Sequence, residues 1–596
     1  MPPQPNDEVF GKAFDADLTR KALVFLIPYK KQLVFSLMMM LIVSMTGLVM
    51  PRLTKIAVDD GMRMGSMNIL TIVAIVYLVT YIIRWIAQYW QSIFVSILGQ
   101  NVIYDMRHKL FSHIQYLSLD FFDKREVGRI ISRLTSDVGS LNALLTSGTL
   151  SLTTDVVTMV GIIFIMLREN VGLALLTFSV MPIMGGVTYV FRGKSRQAYR
   201  DVRKKVATVT ATLAENVTGV KVVKSFSREK ENLNRFKRVN KESREAWVHA
   251  AIISAVFNPT LELISWIGIV LIYWYGGMRV MQGQLTLGML LEFIGYMMLF
   301  FGPIRNISAL YQTMQGAMAG AERIFDILET ESTVTDSPDA YELPQIEGNV
   351  EYRHVNFAYG EKAILTDVNF TVKAGETIAL VGPTGAGKTT ITSLLCRQYD
   401  AKGGSIMIDG HEITKVTLPS LRSQIGVVLQ DSFLFPGTVM ENIRYGRLDA
   451  TDLEVEEAAK IVGVYDFVME MSKGFDTDIR EGGSNLSSGQ KQLLSFARAL
   501  LADPRILILD EATSSVDTAT EILIQEALRK LFKGRTSFVV AHRLSTIAEA
   551  NRILVIQDGI IAESGTHQEL LAIEDGLYKK LHTMQYSANT AEPEDE

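Results

Sequence analysis

The chain reads in two textures. Up to about residue 325, apolar residues gather in runs longer than a globular core helix requires; from residue 348 they come as short β-rich runs between Gly turns and helical stretches. Six stretches of the first part, 33–55, 69–98, 143–167, 171–193, 251–276 and 284–308, are mostly apolar. Each supplies the ~20 residues that a membrane-spanning helix needs. Pro51 falls near the end of the first, and Pro182, Pro259 and Pro303 lie within later ones. Such prolines suit kinked spanning helices, whose neighbours re-satisfy the freed backbone groups.

The connections alternate in length and charge. Links such as "REN" and "GMRVMQGQ" are short, whereas the second-to-third and fourth-to-fifth links are long, helical in pattern and rich in Lys and Arg. The positive-inside rule puts the long links, and both chain ends with them, on the cytoplasmic face. An integral, multi-pass protein of the inner cell membrane is expected, with its second part in the cytoplasm. In that part "ETIALVG", "SIMIDG", "IGVVLQ", "ILILDEA", "TSFVVAH" and "RILVIQDG" read as strands alternating with helices. They predict a layered α/β sheet.

Composition narrows the partners. A net charge of −5 leaves no basic footprint for nucleic acid. A single cysteine, Cys396, excludes an intrachain disulfide framework and reads as a small core residue. The opening "MPPQPNDEVFGKAFDADLTRKA" lacks the apolar core of a signal peptide, and with the acidic "NTAEPEDE" it reads as a solvated tail.

The chemistry lies in the second part. "GPTGAGKTT" follows the apolar "TIALV" and precedes the helix-like "TTITSLLCRQ", the strand-then-helix context that a phosphate-binding loop requires. Gly382, Pro383, Thr384, Gly385, Ala386 and Gly387 would turn backbone N–H groups toward phosphate oxygens, with Thr390 in the first turn of the helix. Lys388 would reach the β- and γ-phosphates of ATP, and the Thr389 hydroxyl would ligate Mg²⁺. "ILILDEA" reads as a buried strand ending in Asp510, placed for the Mg²⁺ shell, with Glu511 next to polarise the attacking water.

"NLSSGQKQLLSFARALL" lies between these motifs, and there the sequence resembles the ATP-binding-cassette family. Leu486 to Gln490 is similar to that family's LSGGQ signature, with Ser488 in place of a glycine. Tyr359 in "VNFAYG" resembles the adenine-stacking aromatic, and Gln430 in "VVLQDSFLF" the Q-loop residue, a further Mg²⁺ ligand with a catalytic part. "SSVD", ending at Asp517, resembles the D-loop, and His542 in "AHRLST" the switch histidine. "REGGS" stands at the X-loop with a wording of its own.

The resemblance covers nearly the whole chain. "LSLDFFDKREVGRIISRLTSDV" and "AENVTGVKVVKSFSREKENLNRF" are similar to the two intracellular loops of the exporter-type fold. It implies an all-α six-helix transmembrane domain followed by an α/β P-loop NTPase cassette. The expected divisions are a tail over 1–17, the membrane domain over 18–325, a linker over 326–347, the cassette over 348–585 and an acidic tail over 586–596. It further implies half of a transporter, pairing with a second chain so that each ATP meets Ser487, Gly489 and Gln490 of the other copy. Export of a hydrophobic or amphipathic substrate from among membrane lipids is then expected. A lipid flippase, a subunit of a heterodimeric exporter, an ATP-gated channel and a nucleotide-sensing membrane protein stand as alternatives.

Four charges fall inside the spans: Arg84, Asp155, Glu262 and Glu292. A charge near a bilayer centre costs roughly 3 kcal/mol on insertion scales, so each wants a partner or a task. An Arg84–Glu262 bridge is one reading. The other is a cavity in which Glu262, on a stripe with Asn258, Pro259, Ser265 and Trp266, helps bind a hydrophobic cation.

Overall fold

A computed structural model describes residues 15–430, 432–510, 518–540 and 547–590. Its contacts form two compact units, one of residues up to 115 with 128–330, the other of residues 116–127 with 331 onward.

The first unit contains the six apolar helices. Five are Ala16–Met62, Met67–Gln115, Val127–Glu169, Val171–Thr218 and Glu229–Met281, and the sixth runs Leu287–Glu329. The first five are 43 to 53 residues long, more than twice what a bilayer core of about 30 Å requires. In spans two to five the excess is the Lys/Arg-rich sequence of the long links, which continues the spans as helix. The sixth begins three residues after the start that hydropathy suggests because Thr286 caps it, its hydroxyl accepting the Met289 N–H at 3.2 Å. Asp59 of the first span accepts the Gly288 N–H at 2.8 Å, and a Cβ at Gly288 would come within 2.6 Å of its carboxylate.

Spans one, three and six share an apolar core that includes Leu48, Ile162, Phe293, Tyr296 and Phe300. This unit also holds an ion cluster around a buried carboxylate. Glu292 is 0% exposed, and Arg52 and Lys55 each approach it to 3.5 Å. Both cations also bond to Glu169. Two cations on one span thus meet two carboxylates on two others, which cancels charges that would be costly alone in hydrocarbon. Asp155, 9% exposed, accepts from the Asn306 amide at 3.3 Å. Arg84 lies beside Gly47, Glu262 is exposed, and no ion pair joins the two among the described residues.

The second unit is built on strands β1 (Val350–Tyr359), β2 (Lys362–Val372), β3 (Thr377–Val381), β4 (Gly403–Ile408), β5 (His411–Glu412) and β6 (Ile425–Val428). They continue as β7 (Gly437–Thr438), β8 (Asp478–Ile479), β9 (Ile506–Asp510), β10 (Thr536–Val540), β11 (Arg552–Gln557) and β12 (Ile560–Gly565). One sheet, ordered β2-β1-β4-β5, is antiparallel; the six-stranded sheet runs β12-β11-β3-β10-β9-β6, parallel except at the β12 edge.

The parallel strands are apolar on both faces, and their alternation feeds two separate cores. Ala379, Val381, Leu507, Leu509 and Val539 enter one, while Ile378, Leu380, Ile506, Ile508 and Phe538 enter the other. The helix Lys388–Leu395 packs into the second core through Ile391 and Leu394. The helix Ser488–Leu501 packs into the first through Leu493, Leu494 and Phe496. Cys396 is buried in the core of the phosphate-loop helix, as a packing residue would be.

Glu292→Leu leaves two cations with a single carboxylate, which should destabilise the fold, by less than the ~3–5 kcal/mol of a fully buried unpaired charge because Arg52 reaches solvent and Glu169 remains. The melting temperature of the detergent-purified protein should fall, and fall less when Arg52→Leu is already present. Equal losses in both backgrounds would contradict the cluster.

Candidate nucleotide-binding site

The site begins at the end of β3. The chain leaves Val381 through Gly382–Gly387 and enters the helix at Lys388. Three glycines take backbone angles that a side chain disfavours: Gly382 at φ +156°, Gly385 at +84° and Gly387 at +107°. A Cβ at Gly382 would lie 2.2 Å from the Ile556 carbonyl oxygen, and one at Gly387 would lie 2.6 Å from Leu365. Gly385 faces open space instead, with nothing within 4 Å of its Cβ position. The loop is tied to the sheet at its two ends and clear at its middle, a cradle of N–H groups that fits a polyphosphate.

Lys388 donates to the Gly382 and Pro383 carbonyls at 2.8 and 3.0 Å, which holds its ammonium against the inside of the loop. Burial pulls the Lys388 pKa down, and the nearby Asp510 carboxylate opposes that. Thr389 is exposed, its hydroxyl 3.5 Å from an Asp510 carboxylate oxygen; Thr390 is buried. A hydroxyl and a carboxylate side by side are hard oxygen ligands of the kind Mg²⁺ takes.

Strand register explains why the other residues meet there. β6 pairs with β9 so that Val428 lies opposite Leu509, and β9 pairs with β10 so that Asp510 lies opposite Val540. β10 in turn sets Val540 opposite Leu380 of β3. Four parallel strands therefore end along one edge, the edge of an α/β sheet where ligands bind. Gln430 follows β6 as an exposed residue, Asp510 ends β9, and the phosphate loop follows β3. Glu511, Asp517 and His542 lie outside the described residues, although β10 stops at Val540, two residues before His542. Tyr359 ends β1, 41% exposed, its ring held edge-on by Phe357 at 4.8 Å and Tyr399 at 5.1 Å.

Ser487 caps the helix Ser488–Leu501. Its hydroxyl accepts the Gln490 N–H at 3.3 Å, and the Gln490 side chain accepts the Ser487 N–H at 2.9 Å. Gln490 is thus occupied in a capping box, Gly489 is buried, and Ser487 and Ser488 stay exposed at a positive helix end. This helix lies on the face of the sheet opposite the phosphate-loop helix. Sequence reasoning missed Arg498 on the same helix. It donates to the Phe433 and Asn442 carbonyls at 3.1 and 2.9 Å and so fixes the segment after Gln430. An arginine inside the apolar "LLSFARALL" was the available signal.

Comparison with known proteins places this geometry. The description "ABC transporter transmembrane region" matches residues 33–304, and "ABC transporter" matches residues 365–514. The uncharacterized ABC transporter ATP-binding protein YknV of Bacillus subtilis is 41% identical over 98% of this chain and 97% of its own. An ATP-dependent lipid A-core flippase of Syntrophus aciditrophicus is 36% identical over 96% and 95%. A solved bacterial Atm1-family ABC exporter with ATP bound has a TM-score of 0.78 and 30% identity, covering 95% of this chain and 99% of that one.

Gly382→Ala forces the loop off the sheet, since the added Cβ meets a backbone carbonyl. ATP affinity, measured by equilibrium dialysis, should drop about tenfold or more, in line with 1–3 kcal/mol of backbone strain. Wild-type affinity in a folded variant would contradict the cradle.

Proposed function

The chain belongs to the ATP-binding-cassette exporter family, and from that premise we propose that two copies export a hydrophobic cation by ATP-driven alternating access. One observation carries the pairing: the phosphate loop and the Ser487 helix end sit on opposite faces of a single sheet. A second cassette, turned to face the first, supplies each phosphate loop with the missing helix end.

In that arrangement the N–H groups of Gly385 to Lys388 hold the phosphates, and Tyr359 offers its exposed ring to the adenine. Ser487 and Gly489 of the other copy close on the γ-phosphate, with Gln490 shaping that helix end. Thr389, Asp510 and Gln430 would hold Mg²⁺, whose charge would neutralise the phosphate oxygens. Glu511 draws the proton from the attacking water, and His542 steadies the γ-phosphate. Closure of the cassettes then depends on intact ATP, and hydrolysis releases it. The membrane in question is the inner cell membrane, with the cassette in the cytoplasm. The domain divisions expected from the sequence serve as its working parts.

The substrate reading rests on charge. Among the described residues the basic pair Arg52 and Lys55 is already taken by Glu169 and Glu292, and Asp155 and Glu262 stand in no ion pair. Carboxylates without basic partners, near aromatics such as Trp266, suit a cationic amphiphile. The lipid A-core flippase among the relatives favours a second reading, a lipid substrate; its phosphates would want free basic groups.

Glu511→Gln should keep ATP binding and lose about 10² to 10⁴ in turnover, whereas Lys388→Ala should weaken binding itself. Wild-type turnover with Glu511→Gln would remove its role. Ser488 stands where the family signature has glycine, so the chain purified alone decides the pairing: ATPase activity supports two identical copies, and inactivity until a second chain is added supports a heterodimer.

Glu262→Gln in proteoliposomes should slow ethidium transport more than transport of a neutral dye, at unchanged basal ATPase. Equal rates for both dyes would take Glu262 out of the cavity.

A further inference from the structure

Tyr399 is a residue that no motif named. It lies four residues beyond the helix that starts at Lys388, in a turn anchored by Arg397. Arg397 is 2% exposed and donates to the Val416 and Thr335 carbonyls at 3.0 and 2.8 Å, with Asp400 paired at 3.0 Å. Tyr399 itself is 7% exposed, too buried for a surface tyrosine whose hydroxyl merely meets water.

Its ring and its hydroxyl face different things. The ring packs at right angles to Tyr359, 5.1 Å between centroids, and lies 5.6 Å from Phe357. Those contacts fix the angle at which Tyr359 presents its own ring. The hydroxyl donates to the carboxylate of Asp123. Asp123 ends the five-residue helix Leu119–Asp123, which belongs to the same compact unit as the cassette. That helix is held there by Phe121, 6% exposed, with the Arg125 guanidinium 4.5 Å above its ring. Burial, with the Asp123 carboxylate beside it, pushes the Tyr399 pKa up, so the phenol stays a donor throughout the working pH range.

We propose that Tyr399 is a positioning residue that holds the adenine-facing ring of Tyr359 and passes its occupancy to the first cytoplasmic loop through Asp123. The inference rests on the reading of Tyr359 as the adenine platform. A base settling on Tyr359 leans on a ring whose opposite edge is Tyr399. The same tyrosine lies just beyond the phosphate-loop helix, so both ends of the bound nucleotide act on it. Its hydrogen bond to Asp123 then leads to a segment continuous in chain with the second and third spans. Tyr399→Leu removes both links; Tyr399→Phe removes only the second.

The test uses full-length protein in proteoliposomes, with ethidium as the transported probe and ATPase as the second readout. Tyr399→Leu should raise the KM for ATP about two- to tenfold, the range expected for an aromatic contact. Tyr399→Phe should keep the wild-type KM yet lose most of the ethidium stimulation of ATPase, and ethidium carried per ATP should fall with it. Asp123→Ala should do the same at unchanged basal turnover, and the Tyr399→Phe, Asp123→Ala pair should be no worse than either alone.

Wild-type stimulation in Tyr399→Phe would overturn the relay. So would additive losses in the pair, which would mean two unrelated defects. Tyr359→Ala separates the two layers: an unchanged KM there sinks the adenine platform itself. A raised KM in Tyr359→Ala with a wild-type KM in Tyr399→Leu sinks only the ring support. Tyr399→Phe keeps volume and burial, so a melting temperature matching the wild type shows that loss of stimulation is not loss of fold.

Discussion

Everything in the cassette depends on strands β3, β9 and β10 being buried on both faces. Each sends alternate side chains into two different cores, as Ile378 and Leu380 do against Ala379 and Val381. A strand with one wet face would allow the helices to gather on one side. With both faces apolar, helices must cover both, and the two anion-binding helix ends are forced apart. The phosphate loop belongs to one layer and the Ser487 cap to the other. The two helices therefore cover different faces, and the proposed pairing of two chains is what would bring a Ser487 end to a phosphate loop.

The membrane unit obeys a parallel constraint in a different solvent. Backbone groups in hydrocarbon must be satisfied within the chain, which favours uninterrupted helices of the length found. Charges must be satisfied too, and the two outcomes differ. Arg52, Lys55, Glu169 and Glu292 neutralise one another between three spans and behave as structure. Asp155 rests on an amide, and Glu262 is exposed on the isolated chain. A cation that meets such carboxylates finds them without a competing basic group among the described residues.

Much of this was legible in the sequence, because hydropathy and glycine patterns act locally. Five of the six apolar stretches lie wholly in long helices and the sixth does from Leu287 on, and each of the six quoted β-rich runs contains a strand. What local pattern could not carry was assignment between distant elements. "SIMIDG" looks like its neighbours, yet β4 pairs with β1 in the antiparallel sheet and not with the parallel strands. The partner of Glu292 was likewise hidden: Arg52 and Lys55 sit at the end of the first apolar run, 240 and 237 positions away, and only packing brings them together. Tyr399 and Arg498 escaped notice because each acts through a contact with another segment, Asp123 in one case and Phe433 in the other.

In the pairing we propose, the phosphate loop of one chain is completed by the signature helix of another. Disulfide trapping tests it most directly, in a Cys396→Ala background that removes the single native thiol. Chains carrying Thr384→Cys are mixed with chains carrying Ser487→Cys, and oxidised with ATP and Glu511→Gln to hold the closed state. The expected result is a disulfide between different chains that forms with ATP and fails without it. No disulfide between the two kinds of chain with ATP, while a separate chain carrying both substitutions closes one within itself, would contradict that pairing.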